Sequence, residues 1–193
     1  MKRAFDIIFS FFGLLILSPV FIILSFAVGL TSKGGVFYKQ KRVGRYNKDF
    51  ILYKFRSMRV GADKGSLITI GGRDSRITKV GYFIRKFKLD ELPQLFNVLI
   101  GDMSFVGPRP EVRYYVDMYT KQQMQVLNVR PGITDPASIA YRNENELLEQ
   151  QDNPKQYYID VIMPDKLNIN LEYINSRTFL SDIKVIFQTF SAL

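Results

Sequence analysis

The sequence predicts a mostly helical α/β protein: a re-entrant N-terminal membrane helix, broken at Ser18-Pro19, followed by a compact domain with a small sheet and amphipathic helices. Three observations predict it. Residues 7–32, IIFSFFGLLILSPVFIILSFAVGLTS, carry no charge and hold Pro19 near their middle. Two short runs rich in β-branched and aromatic residues, GGVFYKQKRVG and DFILYKFRSM, flank a turn around Gly44 to Asn47 and read as a strand pair. Most of the chain beyond residue 79 reads as helices.

As a straight helix, residues 7–32 would cover ~39 Å at ~1.5 Å per residue, enough for a bilayer core of ~30 Å. Pro19 removes an amide donor and clashes with the carbonyl of Leu15, at a cost of about 3 kcal/mol in a straight helix. Ser18 beside it is placed to rebond a freed carbonyl. Both flanks are cationic, with Lys2 and Arg3 before the segment and Lys33, Lys39, Lys41 and Arg42 after it. A spanning helix would export one basic flank, whereas two arms of about twelve residues, ~18 Å each, dip in and return to one side. A kinked bitopic span and a cleaved signal peptide remain alternatives. The boundary between membrane segment and domain is expected at residues 32–33.

The remaining elements follow in order. Residues 60–79, VGADKGSLITIGGRDSRITK, read as a long basic loop with a Gly-Gly pair. VGYFIRKFK forms a helix that brings Arg85 and Lys86 close to the acids after it. A further helix begins at Asp90 as N-cap with Pro93 in its first turn, and Leu92, Leu95, Phe96, Leu99 and Ile100 make its apolar stripe. EVRYYVDMYTKQQMQVL is another helix, RPGITDPAS a loop, and NENELLEQ the start of a helical region. The last segment, FLSDIKVIFQTFSAL, places Phe179, Ile183, Ile186, Phe187 and Phe190 on one helical face, either toward the core or on a membrane surface.

Composition restricts the chemistry. None of the 193 residues is cysteine or histidine, which excludes disulfides, thiolate metal sites, thiol nucleophiles and imidazole bases. Catalysis must use carboxylates, lysine, tyrosine, hydroxyls or a hard, oxygen-liganded metal. Residues 33–88 hold sixteen Lys/Arg against three acids, a net of +13, while residues 89–193 hold nine against fourteen, a net of −5. The basic block suits a polyanion: nucleic acid, an anionic membrane surface or a nucleoside diphosphate.

The segment KLDELPQLFNVLIGDMSFVGPRPE, residues 88–111, concentrates the candidate chemistry. Asp90 and Glu91 suit a helix start, where the dipole stabilises acids. The same position suits a nucleophile, because the helix field and Arg85 favour the ionised form and helix N-termini attract phosphate. Capping and catalysis are compatible. Pro108 and Pro110 restrict Arg109 between them, giving a rigid turn or a bidentate phosphate clamp.

Together with Ser18-Pro19, YKFRSM and RPGIT, this block resembles the bacterial sugar transferases that are monotopic phosphoglycosyl transferases. The resemblance runs from the N-terminus to about Thr134 and resumes more weakly to the C-terminus. It implies transfer of a sugar-1-phosphate from a UDP-sugar to polyprenol (undecaprenyl) phosphate, with Mg²⁺, at the cytoplasmic face of the bacterial inner membrane. It implies Asp90 as nucleophile, Glu91 as its magnesium-binding partner, and Arg85, Arg109 and Arg142 near the phosphates and uridine. Lys54 and Arg56 of YKFRSM become further substrate-site candidates, and Ser18-Pro19 the break of the re-entrant membrane helix.

Two departures stand out. Small members of the family continue after RPGIT with Gly-Trp-Ala-Gln-Val-Asn-Gly-Arg, whereas this chain reads DPASIAYR, so Arg142 is matched by spacing alone. An aspartate usual near the C-terminus is Asn170 here, and residues 143–165 differ. The alternative from another class is a membrane-anchored binding module whose basic block grips anionic lipid or nucleic acid. It leaves the acidic pair beside a proline-flanked arginine without a role, and the block carries no recognisable nucleic-acid motif.

Overall fold

The computed structural model describes residues 1–62 and 74–192. The N-terminal segment folds as α1 (Lys2–Ile16) and α2 (Ser18–Thr31), which meet at Leu17 with a bend of 62°. Pro19 lies in the first turn of α2, where its missing amide donor costs nothing, so the bend falls just before the Ser-Pro pair. Among the described residues no single helix is long and apolar enough to cross a membrane. The bent pair together meets that test by length and composition.

Both ends of this helix pair are seated on the rest of the chain. Lys2 donates to the Val106 carbonyl at 2.8 Å and pairs with Asp182 at 2.7 Å. Arg3 donates to the carbonyls of Val98 and Leu99 at 2.6 and 2.8 Å. The buried Asp6 accepts from Ser104 Oγ and the Phe105 amide, each at 3.1 Å. At the other end, Leu24 and Val28 share a core with Phe55 and Ile84. Between these seats Phe9, Phe12, Ile16, Ile23 and Phe26 are exposed.

The expected strand pair is present as β1 (Phe37–Val43) and β2 (Asp49–Phe55), antiparallel, with Phe37 opposite Phe55 and Val43 opposite Asp49. The excursion that follows is closed at its base by a bridge between Met58 and Ile77 and a 3.0 Å bond from the Thr78 amide to the Ser57 carbonyl. The Gly-Gly pair at 71–72 lies outside the described residues. Thr78 then caps α3 (Lys79–Lys86) by accepting from the Gly81 amide.

Asp90 is not the expected N-cap. Lys88 turns the chain in the left-handed region (φ 54°), a tight turn covers Leu89–Glu91, and α4 (Gln94–Ile100) begins only after Pro93. The α4 stripe also differs: Leu95 and Val98 are buried with Gln94 and Asn97, while Phe96 and Ile100 are exposed. The reason is Asn97, fully buried, whose side chain accepts from the Tyr53 amide (3.1 Å) and donates to the Ile51 carbonyl (2.7 Å). It occupies the free edge of β2 as another strand would and sets the face that α4 presents.

A second, parallel pair, β3 (Ser104–Val106) with β4 (Gly132–Thr134), replaces the loop expected around RPGIT. The pairing continues past the strand ends, since Gly107 donates to Thr134 and Gly132 to Pro108, each at 3.0 Å. Here the backbones approach so closely that a Cβ on Gly132 would lie 2.2 Å from the Gly107 nitrogen. The helix expected over residues 111–127 is interrupted: α5 (Arg113–Val116) stops early, and a 3₁₀ turn spans Gln123–Asn128. Reciprocal bonds between Thr120 and Gln123, side chain to backbone in both directions, start that new turn.

Asp135 caps α6 (Pro136–Ala140) through the Ser138 amide and hydroxyl. There follow α7 (Glu144–Glu149), α8 (Pro154–Tyr157), a π-turn at Tyr158–Ile162, α9 (Met163–Ser176) and α10 (Phe179–Ala192). Pro164 cannot bond back and clashes one turn earlier, which the π-turn absorbs. In α10, Asp182 and Val185 face inward, whereas Phe179, Leu180, Phe187 and Phe190 are exposed. The inward face is therefore centred on Asp182 and Val185 and not on the expected stripe, of which Phe179, Phe187 and Phe190 are exposed.

Candidate active site

One cleft of about 330 Å³ is lined by Lys54, Arg56, Arg85, Asp90, Glu91, Arg109 and Arg142 together. These seven residues are the substrate-site candidates of the sequence, drawn from positions 54 to 142. Four features of the fold converge them: β2 and the residue after it supply Lys54 and Arg56, α3 and the turn after it Arg85, Asp90 and Glu91, the β3 extension Arg109, and the segment just after α6 Arg142. Counting its other lining residues, the cleft presents ten Lys/Arg and four carboxylates among the described residues. An anion of several charges suits such a field.

The centre is Glu91. Its Oε1 accepts from Lys54 Nζ at 2.8 Å and from Arg109 Nη2 at 2.6 Å, while Oε2 has Arg109 Nη1 at 3.5 Å. Burial alone would raise this carboxyl, but Arg109 and then Lys54 outweigh it and hold Glu91 well below its ordinary 4.5. Lys54 is pulled below its ordinary 10.5 by burial, with Glu91 opposing.

Asp90 behaves differently. It is 6% exposed, and burial raises it above its ordinary 3.8, with Glu91 adding to the shift and Lys54, Arg85 and Arg109 opposing. The expected bias toward the ionised form is therefore reversed: cations are near, yet loss of water outweighs them. Two adjacent carboxyls are thus shifted in opposite directions, Glu91 downward and Asp90 upward, a pattern that concentrates at functional sites.

Arg109 is held from behind. Arg42 donates to the Pro110 carbonyl at 2.9 Å and pairs with Glu111 at 3.4 Å. Glu111 also accepts from Tyr158 Oη at 2.7 Å, and its carbonyl accepts from the Val43 amide at 2.8 Å. Arg56 is partly committed, donating to the carbonyls of Gly35 and Phe37 at 3.1 and 3.0 Å. Arg142 lines the same cleft and is exposed. Asn97, Arg42, Glu111 and Tyr158 are residues the sequence reading missed. Glu111 was visible as the last letter of VGPRPE, while the others carry no local signal.

Among the described residues no three carboxylates cluster as a metal cage. Asp90 and Glu91 offer hard oxygen ligands beside a cationic cleft, which suits Mg²⁺, an ion that commonly takes one or two carboxylates and completes its shell with phosphate oxygens and water.

The chain matches the family model of the bacterial sugar transferases over residues 1–193, and it belongs to that family. It is 39% identical over 192 residues to the UDP-glucose:undecaprenyl-phosphate glucose-1-phosphate transferase of Klebsiella pneumoniae, covering 97% of this chain and 39% of that protein. It is 41% identical over 144 residues to the UDP-N-acetylgalactosamine-undecaprenyl-phosphate N-acetylgalactosaminephosphotransferase of Aeromonas hydrophila, covering 73% and 34%. With the uncharacterized sugar transferase EpsL of Bacillus subtilis (strain 168) it shares 38% identity over 187 residues, covering 96% and 83%. The chain thus spans about two-fifths of the first two relatives or less, and most of EpsL.

Proposed function

We propose that this protein moves a sugar-1-phosphate from a UDP-sugar to polyprenol phosphate, undecaprenyl phosphate by analogy with its relatives, and releases UMP. The observation that carries the reading is the single cleft in which a divided carboxyl pair, Asp90 and Glu91, faces Lys54, Arg85, Arg109 and Arg142. A nucleoside diphosphate supplies the negative charge that this cleft matches.

In the first step an oxygen of Asp90 attacks the β-phosphorus of the UDP-sugar. The bond from that phosphorus to the bridging oxygen breaks, and UMP leaves with the electron pair. In the second step an oxygen of the polyprenol phosphate attacks the same phosphorus and the bond to Asp90 breaks, giving polyprenol-diphosphosugar and a free carboxylate. Arg109 and Arg85 hold phosphate oxygens and offset the charge developing on the leaving group, and Arg142 is assigned to the phosphates and uridine by resemblance. Asp90 and Glu91 would hold Mg²⁺, which when bound neutralises diphosphate charge. Burial strips water from Asp90, so once ionised it attacks without a hydration shell to shed.

The bent helix pair is read as a re-entrant element in the cytoplasmic face of a bacterial inner membrane. Support comes from its apolar exposed middle, its cationic flanks, and the seating of both ends on one domain. The exposed Phe187 and Phe190 of α10 fit an interfacial contact beside it. In that setting the reaction is a first membrane step of glycoconjugate assembly.

The test is intact-protein mass after mixing the enzyme with a UDP-sugar and no acceptor. A phosphosugar adduct on Asp90, discharged by polyprenol phosphate, is expected. Normal turnover by Asp90→Asn refutes the mechanism.

A further inference from the structure

We propose that Lys54 and Arg109 serve as built-in counter-cations on Glu91, so that a divalent ion enters the site only when a nucleoside diphosphate draws them away. The inference rests on the reading of this cleft as a metal-assisted diphosphate site. It concerns what the two cations do before any ligand arrives.

Glu91 is largely buried, its side chain 14% exposed, and one oxygen, Oε1, takes both Lys54 Nζ at 2.8 Å and Arg109 Nη2 at 2.6 Å. The carboxylate that a metal would use is therefore already neutralised twice over. A dication arriving alone meets two positive charges at the same oxygen and gains one carboxylate that it must share with them.

A diphosphate changes the balance. It brings several anionic oxygens, and a guanidinium pairs with phosphate in the fork geometry it now uses on Glu91. Each cation that moves to phosphate would free part of Glu91, which with Asp90 would then be available to hold a hard ion. The same swap keeps Glu91 paired in the empty cleft, which spares the fold an uncompensated buried charge. Metal and nucleotide thus bind as a linked pair, each strengthening the other by the same factor.

Mn²⁺ binding to the full chain in detergent micelles, followed by the electron paramagnetic resonance signal of the free ion, tests this directly. Without nucleotide, wild type should bind Mn²⁺ weakly, and Lys54→Met should bind it about tenfold or more tightly. Lys54→Arg should behave as wild type. Adding Glu91→Gln to Lys54→Met should erase the gain. Arg109→Gln gives an independent second route to the same gain. With UDP present, wild type should retain Mn²⁺, and its difference from Lys54→Met should shrink. If neither Lys54→Met nor Arg109→Gln binds Mn²⁺ alone more tightly than wild type, the inference is overturned while the diphosphate reading stands. If wild type retains no Mn²⁺ even with UDP, both fall.

Discussion

Replacing Glu91 by glutamine keeps shape and removes one charge from the centre of the cleft. Lys54 Nζ and Arg109 Nη2 lie 2.8 and 2.6 Å from the same oxygen, so by the triangle inequality they are within about 5.4 Å of each other. At an effective dielectric constant of about 20, two like charges at that distance repel by about 3 kcal/mol. Water reaches Arg109, whose side chain is 35% exposed, and the amide oxygen still accepts one hydrogen bond. The net loss should be about 2 kcal/mol, below the ~3–5 kcal/mol of a fully buried broken pair. For a chain of this size that lowers the thermal midpoint by about 4–8 °C. The assay is thermal unfolding of purified protein in detergent, followed by circular dichroism at a fixed heating rate. Lys54→Met combined with Glu91→Gln should regain part of the loss, because the repulsion is removed with the lysine. An unchanged midpoint in Glu91→Gln, or a double variant no better than the single, would refute the view of Glu91 as the charge that holds this cleft together. The variant should also lose turnover while remaining folded.

Four further outcomes are expected. Asp90 sits above its ordinary 3.8 and must be ionised to attack, so turnover should fall as pH drops through that raised value. Lys54→Met removes a cation that opposes the shift and should move this acid limb to higher pH, as measured in pH–rate profiles of the two proteins. Stability follows Glu91 instead: its contribution is present above 4.5 and is lost only as pH falls through its lowered value, so acid unfolding should lie below the acid limit of activity. Asn97→Leu leaves the Tyr53 amide and Ile51 carbonyl without their partner in a buried setting and should cost about 2–4 kcal/mol by denaturant titration. Single cysteines in place of Ala4 and Lys33, both exposed, should be labelled from the same side of sealed vesicles, and labelling from opposite sides would exclude the re-entrant reading.

The elements legible in the sequence were those whose signal is local. Alternation and a Gly-Asn turn marked β1 and β2, and the apolar run with its proline marked the bent pair. Most candidate residues were legible because they stood in short dense motifs, whereas Arg142 was matched by spacing alone. Their meeting in one cleft was not, since it depends on contacts between distant segments. The parallel pairing of β3 with β4 is the clearest case: each strand is three residues long, and RPGIT reads as a loop until SFV lies beside it. The electrostatics of Asp90 were missed for a related reason. Charges near it can be counted from a sequence, whereas the loss of water that outweighs them arises only from packing. Asn97 shows the same limit, a polar residue on a helix face that belongs to the interior because it completes the edge of β2.

The seat of α1 carries a consequence for how the chain is made. Apart from Asp182, which also pairs with Lys2, the groups that hold Lys2, Arg3 and Asp6 belong to Val98, Leu99, Ser104, Phe105 and Val106, which follow 95 to 104 residues later. At ~5–20 residues per second, the ribosome needs roughly 5–20 s to supply them after α1 has been synthesised. For that interval an apolar helix pair exists without its place in the protein, and only a lipid phase or a chaperone can shelter it from water. The seat of α1 therefore forms only once residues 98–106 are available, and the pairing of Lys2 with Asp182 comes later still. A chain stopped before residue 104 would hold the whole apolar segment and none of the β3 groups that seat Lys2 and Asp6.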